Sequence, residues 1–149
     1  MHVNCTWIKE VGRIFALTDQ ATEWLIMLWQ AIQVFDDIAD GDPVSMGELN
    51  KTILNTLVYM NQNEFWRCNS NSLSPIIELN ILKWHASETA ERNGKADEKS
   101  FVWRAGFYDV ILMVVKLCHG SEAAMKVAYN VLSLYGENFQ EYFKEFNNA

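Results

Sequence analysis

Asp36-Asp37-Ile38-Ala39-Asp40 sets three carboxylates in one short stretch, and Asp42 follows two residues on. Asp36 and Asp40 stand one helical turn apart, so on a helix both side chains reach one point. The apolar residues before them put the acids near the C-terminal end of that helix, where the macrodipole disfavours anions. Like charges crowded there favour proton uptake or a bound cation. Oxygen ligands alone suit Mg²⁺ or Mn²⁺ rather than zinc. The plainer reading is a solvated helix end, with Asp42 before Pro43 bonding locally to the turn.

The longer stretch Gln33-Val34-Phe35-Asp36-Asp37-Ile38-Ala39-Asp40 resembles the first aspartate-rich motif of class I isoprenoid (terpenoid) synthases, where a long apolar helix also leads into the acids. The resemblance implies an all-α fold and Mg²⁺ ions that hold a prenyl diphosphate. It makes Asp36 and Asp40 the primary metal ligands and Asp37 a secondary one. Trp29 and Gln33, on the same helix, would then contact the substrate, with Trp29 and Phe35 lining a hydrophobic cavity. The chain is shorter than a complete synthase of that class and has no second DDxxD. Asn130, Ser133 and Glu137 do not reproduce the alternative Asn-Asp-x-x-Ser-x-x-x-Glu pattern. The implied relative is therefore minimal, degenerate or completed by a dimer.

Further polar groups lie on the stretch 97–119. Asp109 falls inside the apolar run Phe107-Tyr108-Asp109-Val110-Ile111, and Lys116 follows on the same side of a helix. In a bundle Asp109 would serve as a further metal ligand, with Lys116 or Arg104 contacting a diphosphate. The competing reading makes Asp109 and Lys116 the exposed edge of an amphipathic helix. Other motifs carry less. An EF-hand loop beginning at Asp36 meets Ile38 and Gly47 where calcium ligands are required. Glu88-Thr89-Ala90-Glu91 lacks the partner ExxD of a helical pyrophosphohydrolase and reads as a solvated helix end.

The elements that must position these groups are helical nearly throughout. A first helix covers 6–17. Thr18 or Asp19 caps the second, which runs to about Asp40 and stops at Gly41-Asp42-Pro43. It is apolar around most of its circumference, as expected of the centre of a bundle, with one polar strip of Gln30, Gln33, Asp37 and Asp40. Ser45 and Glu48 have capping-box spacing and open a helix to about Asn61. Asn69-Ser70-Asn71-Ser72 reads as a loop. Ser74-Pro75 opens a helix to about Arg92. One helix then spans about 97–119, and a last one runs from Ser121 to about Phe146. On that last helix Ala124, Ala128, Val131, Leu132, Tyr135, Phe139, Tyr142, Phe143 and Phe146 lie on one apolar side, while Glu122, Lys126, Asn130, Glu137 and Glu141 lie opposite on a solvated one.

Composition sets the class. The chain has 149 residues, is 50% hydrophobic and 21% charged, and carries a net charge of −7. Those fractions exclude disorder, and scarce Gly and Pro argue against a turn-rich β fold. An acidic chain without Lys/Arg runs repels a phosphate backbone, so nucleic acid is not an expected partner. The odd, scattered cysteines, the opening residues without signal-peptide character and the absence of a long apolar run point to a cytoplasmic protein with no membrane span. The expected fold is all-α: one domain over 1–149, a compact bundle of about five or six helices around the helix at 19–40. Two functions compete. One is metal-dependent binding, with or without turnover, of a diphosphate-containing small molecule. The other is a non-catalytic helical interaction module that self-associates as a homodimer.

Overall fold

The side chain of Thr18 decides where the most apolar helix begins. It accepts the N–H of Ala21 at 3.2 Å from an extended backbone, satisfying one of the free donors of the first turn. In the computed structural model, which describes residues 4–147, this helix is α2, Asp19–Ala39; α1, Thr6–Ile14, precedes it. The chain divides into two units, residues up to Ser70 and residues from Asn71 on.

Within the first unit α2 packs on α1, on α3 (Met46–Leu54) and on a π-helical turn, Asn55–Tyr59, that continues α3. A short α4, Met60–Gln62, completes that run, and α5, Glu64–Arg92, begins after Asn63. Gly12 lies so close to Thr22 that a Cβ on it would overlap the threonine hydroxyl and come within 2.9 Å of its Cγ2. Two helix ends close alike. Gly41, at φ 76°, donates to Ile38 O at 3.2 Å while Asp42 donates to Asp37 O at 2.8 Å. After α1 the same closure is made by Ala16, at φ 51°, a left-handed conformation that favours glycine. Ser45 accepts the N–H of Glu48 at 3.1 Å, as its spacing predicts.

The loop expected at Asn69–Ser72 is instead helical, because α5 runs through it with Pro75 inside. Propensity against a helix amounts to a few tenths of a kcal/mol per Ser or Asn, whereas burying one leucine is worth about 1.5–3 kcal/mol. Leu73 is fully buried, and tertiary burial of this kind sustains the helix against its polar residues and Pro75. Asn69 also turns back along the helix, donating to Phe65 O at 2.9 Å.

In the second unit the helix expected over 97–119 is two: α6, Glu98–Trp103, and α7, Gly106–His119. Asp97 and Ser100 cap α6 reciprocally at 3.0 and 2.9 Å. The break falls where the backbone comes hard against α5: a Cβ on Gly106 would stand 2.6–2.8 Å from the Asn80 side chain. Around Gly120, at φ 94°, α7 folds back on α8, Ser121–Leu132, burying Val110, Ile111, Val114, Val115, Ala124 and Val131. The expected last helix is also two, because the chain leaves helix after Leu132 and re-enters at α9, Phe139–Asn147. Asn138 accepts the Glu141 N–H at 3.1 Å and starts the new helix. The two breaks give eight helices among the described residues, taking Met46–Gln62 as one run, rather than five or six. Among those residues there is no strand, and no helix is long and apolar enough to cross a membrane.

Candidate functional site

The carboxyl end of α2 brings Asp36 and Asp40 together. Each offers a carboxylate oxygen within 4.8 Å of one on the other, and the Asp40 N–H bonds to Asp36 O at 2.9 Å. Asp36 is half-buried and Asp40 exposed. The last turn of α2 has no basic side chain, so the acids add to the negative end of the helix dipole. Trp29 and Gln33 precede them at helical spacing on the same face, both half-buried, and the Trp29 ring stands edge-on to Trp7 at 5.2 Å. Asp37, about 100° around the helix from Asp36, is buried, whereas Phe35 and Ile38 are 49% and 51% exposed. The surface of this helix end is thus mixed, with apolar side chains facing water beside the acids.

The remaining candidates belong to the second unit. Asp109 pairs with Lys83 of α5 at 3.0 Å. Lys116 is exposed on α7. Arg104, at the end of α6, lies 3.6 Å from Glu91 and 3.6 Å from Glu137, with its guanidinium 4.9 Å above the Tyr142 ring and 5.7 Å from that of Phe146.

Arg104 is the hub of a polar network that periodicity did not reveal. Glu91, expected on a solvated helix end, keeps only 7% of its side chain exposed and accepts the Tyr142 hydroxyl at 2.9 Å. Glu137, expected on a solvated face, accepts the Tyr135 hydroxyl at 2.7 Å, and that same hydroxyl also reaches Phe101 O at 3.0 Å. Ser100 and Tyr142 hydroxyls meet at 2.6 Å. Asp97 N–H donates to the Ser100 hydroxyl, which lies within reach of both Asp97 O at 3.0 Å and the Tyr142 hydroxyl, and Tyr142 donates to Glu91, so one run of hydrogen bonds links Asp97 to Glu91. Spacing carried one readable signal: Asn138 and Glu141 stand as a cap and its third residue, which marks a helix start at α9 and so a loop that carries Glu137.

The electrostatics make this cluster a clasp rather than a nucleophile. Burial works against the Arg104 charge, but Glu137 and Glu91 outweigh it, and its proton is held more tightly than usual. Burial and the bond to Glu137 push the Tyr135 phenol up, and burial with Glu137 does the same to Tyr108. The Tyr142 phenol is pushed up to about 12, chiefly by burial; Ser100 pulls it down and Glu91 pushes it further up. A group raised in the folded state stabilises fully below its unfolded value and loses that contribution as pH rises through the folded one. The contribution of Tyr142 therefore fades between 10.0 and about 12. Urea unfolding at stepped alkaline pH should show stability falling across that window, and Tyr142→Phe should flatten the fall. An unchanged slope in the variant would refute the assignment.

Comparison with protein-family models, with curated proteins and with solved structures finds no match to this chain.

Proposed function

We propose that this protein binds a divalent cation, Mg²⁺ or Mn²⁺, at Asp36 and Asp40 and, through it, a diphosphate-containing small molecule. The observation that supports this is the approach of the two carboxylates to within 4.8 Å at the negative end of α2. Two acids held that close repel each other, and a hard cation relieves the repulsion through oxygen ligands. Trp29 and Gln33 continue the face toward the organic part of the ligand, in keeping with the likeness of the motif to class I isoprenoid synthases. When bound, the cation supplies charge neutralisation for the diphosphate, and in a catalytic relative it stabilises that group as it leaves. Arg104 and Asp109 carry no part of the proposal, since both have partners inside the second unit.

Thermal unfolding tests the reading, with Mg²⁺ or Mn²⁺, each with and without pyrophosphate. A ligand at a hundredfold excess over its Kd adds about 2.7 kcal/mol to the native state. Metal should raise Tm, pyrophosphate should raise it further only when metal is present, and Asp36→Asn/Asp40→Asn should abolish both shifts. Equal shifts in the variant, or none in the wild type, would reject the site. Turnover is read separately, as metal-dependent release of pyrophosphate from a prenyl diphosphate.

A further inference from the structure

The run Met46–Gln62 is built inside out. Thr52 and Asn55, both polar, are buried at 4% and 8% exposure, while Met46, Ile53, Leu54, Leu57, Val58 and Tyr59 face water. Leu57 is 71% exposed and Met46 69%. Ile53 and Leu57, and Leu54 and Val58, stand four residues apart and so neighbour each other along the run, which passes through the π turn. Asn61 serves the widened turn by donating to Thr56 O at 3.3 Å and Leu57 O at 3.1 Å.

We infer that this face is where a second copy of the chain docks, with the two Met46–Gln62 runs antiparallel about a two-fold axis near Leu57 and Val58. Two observations select that occupant. The first is charge. The chain carries −7, so two copies repel unless they meet where charge is absent, and no Asp, Glu, Lys or Arg lies between Lys51 and Glu64. Those two bracketing residues are exposed and opposite in sign. An antiparallel copy brings the Lys51 end of one chain to the Glu64 end of the other at both rims, whereas a parallel copy sets like against like. The second is area. The five apolar residues from Ile53 to Tyr59 expose on the order of 500 Å², more than half of the ~800 Å² that each partner of a standard interface buries. A two-fold contact also matches one patch to itself, so no second complementary surface is needed.

The inference stands apart from the metal reading, so either can fail alone. Sedimentation equilibrium from micromolar to millimolar concentration tests it, with helical circular dichroism as the check on folding. The wild type should associate to twice the chain mass. Leu57→Asp should stay monomeric and helical. Should that variant unfold, the milder Leu54→Gln/Leu57→Gln pair reads the same equilibrium. Lys51→Glu should weaken the dimer about tenfold, and adding Glu64→Lys should restore it. A wild type that remains monomeric, whatever else the face then captures, overturns the inference. So does a dimer that Leu57→Asp leaves intact. Charge variants without effect overturn the antiparallel arrangement.

Discussion

An Arg104→Ala chain is expected to lose about 3–5 kcal/mol of unfolding free energy, the range for removing one partner of a buried ion pair. Arg104 keeps 24% of its side chain exposed and Glu91 only 7%, which places the loss toward the lower end of that range. The cost arises mainly from what remains: Glu91 stays buried with its counter-ion gone, and the aromatic faces of Tyr142 and Phe146 lose the guanidinium above them. Arg104→Met keeps the aliphatic stem but not the charge, so it should fall between wild type and alanine. A double variant that also replaces Glu91 with Gln should recover part of the loss, because it removes the stranded charge. Urea unfolding of the set measures all three. A loss below about 1 kcal/mol for alanine would reduce the network to an ordinary surface pair.

Trp24→Ala should cost the first unit about 3–5 kcal/mol, the usual penalty for truncating a large buried aromatic. Trp24 is 1% exposed, stacks on Trp66 at 5.6 Å with the rings 10° apart, and lies tilted to Phe65 at 6.4 Å. Its indole N–H is buried and finds no hydrogen-bond acceptor. That detail separates two substitutions. Trp24→Phe also leaves a gap, but it removes an unsatisfied donor whose burial costs about 1–3 kcal/mol. It should therefore destabilise much less than alanine. Guanidinium unfolding followed by circular dichroism tests the pair. Equal losses for phenylalanine and alanine would show that the indole N–H is satisfied in solution.

What could be read from the sequence was local chemistry. Thr18, Gly41, Ser45 and Gly120 mark ends of helices because each solves a backbone problem within a few residues. The approach of Asp36 to Asp40 follows from their spacing on a helix of any environment. What escaped was settled by distant partners. Asn69–Ser72 carries every local sign of a loop, yet tertiary burial such as that of Leu73 holds it in helix. The breaks after Trp103 and Leu132 interrupt apolar periods that look continuous, because Gly106 meets Asn80 and Asn138 starts a new helix. Glu91, Arg104 and Glu137 look like ordinary surface charges one at a time. Only the fold of the second unit brings them together, and periodicity assigns a residue a face without saying what lies opposite.

The π turn at Asn55–Tyr59 makes this segment more sensitive to changes of length than of identity. Its outward positions can exchange one apolar side chain for another, but the turn is in effect an α-helical turn with one residue added. Deleting a residue there lets the run relax to plain α-helix and turns everything after it by about 100°. Asn63, whose amide donates to Gln20 O at 3.0 Å while its carbonyl oxygen takes the Trp66 N–H at 3.0 Å, would then face away from α2. Drift among descendants of this chain should therefore proceed by exchange of one apolar side chain for another across the exposed stripe, with the number of residues between Ser45 and Asn63 held constant.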